Sequence, residues 1–94
     1  MIDRNKIGTK LIHERICPNL LGFNYIIEAA GLYEPGTKMQ DIYKVIADKR
    51  GIHPRRIEKA IRHAKERSPK YGKCTNSEFI ALMSYEMEQE ATES

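Results

Sequence analysis

The sequence predicts an all-α protein, a compact bundle of about five helices containing a helix-turn-helix. Two observations lead there. Apolar residues recur at helical spacing in one segment after another, and strand-like alternation is absent. Between Asp41 and Arg67, two short helical patterns flank a tight turn, and the second is basic on its outer face. Within this pair Ala47 is small enough for the second helix to approach. Gly51 can take the positive φ that closes the first helix, and Ile57 reaches back into the core.

The elements follow in order. A first helix is expected over about Arg4 to Ile16, with Ile7 and Leu11 facing inward and Ile12 a further candidate. Pro18 opens a second helix, where its missing N–H is harmless, and the inward stripe is Leu20, Phe23, Ile27 and Ala30. Gly31, Pro35 and Gly36 mark a loop. The third helix runs from about Lys38 to Arg50, with Ile42, Val45, Ile46 and Lys49 at helical intervals; Lys49 and Arg50 suit its negative end.

His53 then stands at or near a cap, and Pro54 fits the first turn of a helix extending to about Arg67. There Ile57, Ala60, Ile61 and Ala64 form one apolar stripe at i, i+3, i+4 and i+7. Arg55, Lys59, Arg62 and Glu66 point to the opposite side, with Glu58 and His63 on its flanks. Ser68-Pro69 ends the helix, and a polar loop passes through Tyr71 and Gly72. Thr75 with Glu78 three residues on is a capping-box signature, opening a last helix to about Glu88 that buries Phe79, Ile80, Met83 and Met87.

Composition narrows the function. The chain of 94 residues is read as one domain, with room for a single modest core. No apolar run approaches the roughly twenty residues that span a bilayer, and the start MIDRNK lacks the apolar centre of a signal peptide. A cytosolic location is therefore expected. Cys17 and Cys74 are far apart and read as small, mostly buried, reduced thiols. The net charge of +3 conceals an asymmetry. Residues 1–43 are balanced, residues 44–73 hold eleven Lys or Arg against three carboxylates, and residues 74–94 hold five Glu and no Lys or Arg. Positive charge thus gathers on the expected reading helix and the loop after it, where phosphates would be met.

The segments RRIEKAIRHAKE and CTNSEFIALMSYEME resemble the C-terminal DNA-binding effector domain of the sporulation master regulator family, stage-zero sporulation protein A. In that family the recognition helix carries a similar E-(R/K)-A-I-R-H core and a T-N-S-E-F-I-A segment opens the final helix; here these are Glu58 to His63 and Thr75 to Ala81. IHERICPNLLGFNYIIEAAGLY is more loosely similar to that domain's opening helices, so the resemblance spans about Leu11 to Met87. It implies an all-helical, sporulation-related transcription regulator reading a TGTCGAA-like box in double-stranded DNA. It also implies that Glu58, Lys59, Arg62 and His63 lie where bases and nearby phosphates are contacted, with Arg55 and Arg56 in the helix's first turn. Lys59 stands where the family usually has arginine, and a point charge cannot reproduce Arg's fork on guanine, so a looser or altered preference is expected there. The loop from Ser68 to Cys74 is shorter than the family's, and these 94 residues include no receiver domain.

The expected partner is thus duplex DNA, with a homodimer or side-by-side binding on repeated boxes open. Base-reading candidates are Arg55, Glu58, Lys59, Arg62 and His63. Glu58 suits cytosine N4, or equally an i,i+4 pair with Arg62. Phosphate candidates are Lys44, Lys49, Arg56, Lys65, Lys70 and Lys73, each also readable as a solvated side chain. Amides at Asn76 and Ser77 suit either a phosphate or the capping role. The three histidines are scattered, and no Gly-rich phosphate loop, Ser-His-Asp set or catalytic carboxylate pair occurs, so no enzyme, metal or cofactor is expected. The alternative function is a protein-interaction module of the same fold that binds an acidic partner or a related regulator.

Overall fold

The computed structural model describes the backbone of residues 4–93 and the side chains of residues 6–86. Five helices follow one another: α1 (Arg4–His13), α2 (Leu21–Leu32), α3 (Met39–Arg50), α4 (Pro54–Lys65) and α5 (Asn76–Glu93). No strand occurs among the described residues, so the all-α class holds.

Helix α2 is the axle. Phe23, Tyr25, Ile26, Ile27, Ala29 and Ala30 are all buried, covering most of its circumference rather than one stripe, and it packs against the other four helices. A helix apolar on most sides has to lie inside. Pro18 lies in the turn before α2 rather than within it, and Leu20 occupies the N-cap.

Helix α1 ends earlier than its periodicity suggests. Arg15 adopts a left-handed φ of 68°, and the N–H of Ile16 returns to the Leu11 carbonyl at 2.9 Å. That reversal drops Ile16 into the core and leaves Ile12 54% exposed, against expectation. Val45 is likewise exposed, because Ile42, Tyr43, Ile46 and Ala47 define the buried arc of α3 and Val45 falls off its edge. Cys17 is exposed and Cys74 half-buried, both as free thiols, so the expectation of a buried Cys17 is corrected.

The capping box forms as expected: the Glu78 N–H donates to Thr75 Oγ1 at 3.1 Å, and the Thr75 N–H donates to Glu78 Oε1 at 3.2 Å. Helix α5 buries Phe79, Ile80 and Met83; the side chain of Met87 lies outside the described residues. The loop between α4 and α5 is pinned to the core rather than solvated. Tyr71 is buried against Phe79, their ring centroids 5.1 Å apart, and the Ser68 hydroxyl accepts the N–H groups of Lys70 and Tyr71. The Tyr71 hydroxyl donates to Glu86 at 3.4 Å, and Glu86 pairs with Lys10 of α1 at 3.4 Å.

Candidate nucleic-acid interface

The site is built on α3, a three-residue turn and α4. Gly51 closes α3 in the left-handed region (φ 66°, ψ 35°), and the N–H groups of Gly51 and Ile52 both turn back to the Ala47 carbonyl. This is the reversal for which a residue without Cβ is suited. His53 caps α4 by accepting the Arg55 N–H on Nδ1 at 3.0 Å, and Pro54 occupies the first turn. Ile57, Ile61 and Ala64 anchor the inner face, all essentially inaccessible.

On the opposite face Arg55, Lys59, Arg62 and Glu66 are exposed, as read from the sequence, with His63 exposed on the flank and Arg56 beside it. Arg55, Arg56 and Lys59 have no carboxylate partner among the described residues. Glu58 is half-buried and forms the i,i+4 pair with Arg62 at 3.3 Å. Of the two roles open to Glu58, this geometry displays the pair; a cytosine contact would require Arg62 to give it up.

The phosphate candidates divide. Lys44, Lys49, Lys70 and Lys73 are exposed, although Lys49 lines a shallow groove with Glu28 and Leu32 of α2, and the Lys70 amine sits 5.2 Å from the Tyr71 ring centre. Lys65 is a correction. It is 3% exposed, and its ammonium donates to the Gly72 carbonyl at 3.1 Å. The loop after α4 folds back over the aliphatic stem, and the ammonium is bonded to that loop rather than projecting from the surface.

Two braces were invisible to periodicity. The Asn76 side-chain amide donates to the Tyr43 hydroxyl at 3.0 Å and to the Glu58 carbonyl at 3.1 Å, tying the start of α5 to α3 and α4 together. Its Oδ1 is buried without a hydrogen-bond partner. Burial raises the Tyr43 phenol above its ordinary range, while the bond from Asn76 works the other way. Asn76 is thus committed to structure, and with Thr75 it carries the interhelical and capping roles. At the far end of α3, Arg50 pairs with Glu28 and lies 4.8 Å over the Tyr25 ring, fixing α3 to α2.

Together these contacts hold α4 with five cationic or titratable side chains, Arg55, Arg56, Lys59, Arg62 and His63, exposed. Among the described residues no helix is long and apolar enough to cross a membrane. Comparisons with known protein families, with curated proteins and with solved structures find no match for this chain.

Proposed function

We propose that the protein is a sequence-specific DNA-binding transcription regulator, with α4 as the second helix of a helix-turn-helix seated in the major groove. The observation that carries this reading is the division of α4. One side is locked by Ile57, Ile61 and Ala64, while Arg55, Lys59 and Arg62 stand exposed on the other and His63 is exposed on its flank. An α-helix fits the major groove, and base edges there are read by such side chains. The likeness of RRIEKAIRHAKE and CTNSEFIALMSYEME to the sporulation regulator's effector domain supports the same reading, and with it a cytoplasmic role in sporulation control. Duplex DNA is the partner, with copies bound side by side where boxes repeat.

Selection of bound duplexes from a random pool tests this. One box should be enriched, and its affinity should fall with salt by a slope of roughly −0.9 per phosphate neutralised. Recovery of duplexes without enrichment, together with capture of an acidic protein, would replace this reading with that of a protein-interaction module.

A further inference from the structure

The two flanks of α4 are electrostatically unlike. Toward α5, Arg62 is paired with Glu58 and Lys65 is bonded inward. Toward α2, an open groove of about 520 Å³ runs between α4 and the Asn19–Gly22 segment. Arg56, Lys59, His63 and Arg67 line it, and no carboxylate does. Arg56, Lys59 and Arg67 are exposed and form no ion pair among the described residues.

The groove has a simple origin. Gly22 lets α2 come in against Ala60 and Ala64, so the floor is small side chains and backbone. The long cationic side chains of α4 then rise as one wall. Arg56 and His63 are seven residues apart, about 10 Å along the helix axis, and Arg67 extends the row beyond them. Each strand of B-DNA carries a negative charge every ~3.4 Å of axis, so a track of this length meets successive phosphates rather than one small anion.

We propose that this groove seats the phosphodiester backbone of one DNA strand, with Arg56, His63 and Arg67 as its contacts. This rests on the DNA-binding reading and deepens it. It moves His63 from base reading to backbone positioning and adds Arg67, which periodicity alone did not single out. Base discrimination is left to Arg55, Lys59 and Arg62.

The test is a salt titration of duplex binding by the whole chain and by Arg56→Ala and Arg67→Ala, against the selected box and scrambled duplexes. Each variant should weaken both kinds of duplex alike, lower the salt slope by about one, and keep the rank order of sequences. An unchanged slope in Arg67→Ala, with the parent binding normally, overturns the groove assignment alone. A parent chain that binds no duplex removes the DNA reading, and the groove assignment with it. A second readout is independent of any variant: in the isotope-labelled parent, the backbone amides of Leu21 and Gly22 should shift when duplex is added. Amides that stay unmoved at saturation overturn the proposal.

Discussion

Gly22 and Ala60 are in direct backbone-to-backbone approach. A methyl group built on Gly22 would fall 2.8 Å from the Ala60 carbonyl carbon and 2.7 Å from the Ala64 methyl, closer still to the Ala60 carbonyl oxygen. This contact sets how near the central helix α2 lies to α4.

Gly22→Ala should therefore destabilise the protein. Alanine gains at most about 1 kcal/mol of helix propensity over glycine, and less in the second position of α2. Overpacking costs about 1–3 kcal/mol, and a backbone carbonyl cannot swing aside. The net result is a lower urea midpoint. Gly31→Ala, which meets nothing within 4 Å, should instead hold or raise it.

Asn76→Ala should cost about 1–3 kcal/mol, because it strips a hydrogen-bond donor from the Tyr43 hydroxyl and the Glu58 carbonyl at once. Denaturant unfolding measures this. Equal stability of variant and parent would mean that the three-helix tie carries no weight.

Lys65→Met should cost no more than about 3 kcal/mol, since one charge-assisted hydrogen bond to Gly72 is lost while a buried charge is removed and the stem's packing is kept. Its duplex affinity and salt slope should equal the parent's. A slope that fell by about one would return Lys65 to the phosphate-binding set.

These residues mark where sequence reading stopped. Ile57, Ile61 and Ala64 announce α4 because their partners all lie on one side, and Gly51 and the Thr75–Glu78 pair announce helix ends by local chemistry. Gly22 gives no such sign, since what demands its lack of Cβ sits some forty residues away. Lys65 was read only as one cation of the basic 44–73 segment, whereas the loop that buries it depends on Tyr71 finding Phe79. Of the candidate site, the exposure of Arg55, Lys59, Arg62 and His63 was legible. The Arg62–Glu58 pairing and the groove beside Arg67 were settled by rotamers and packing.

Arg62→Ala should weaken binding to the selected box by about 1–3 kcal/mol and relax preference at one base pair. It also leaves Glu58 without its cation near phosphates. The double variant Arg62→Ala, Glu58→Gln separates these effects: recovered affinity with preference still relaxed identifies repulsion as part of the loss. Competition with base-substituted duplexes gives the answer. Preference unchanged in Arg62→Ala would place Arg62 off the bases.

Alkaline stability should depend on Tyr71. Burial, helped by the neighbouring Glu86 carboxylate, pushes its phenol from 10.0 up to about 12. A phenol harder to ionise in the folded state favours folding fully while pH is below 10, and that contribution is lost as pH rises from there through about 12. The parent should therefore lose stability over this window, and Tyr71→Phe should lose less. Tyrosinate absorbance followed with helicity reports both. Identical alkaline profiles would refute the assignment.

The shared core has a consequence for biosynthesis. Ile7 and Leu11 from the beginning of the chain and Phe79, Ile80 and Met83 from its later part belong to one continuous cluster. During translation the early helices emerge with the part of that apolar surface that faces α5 still open, and it closes only once α5 has left the ribosome. Completion of the core therefore waits for α5, and the growing polypeptide exposes apolar surface that can stick to its neighbours until that helix has emerged.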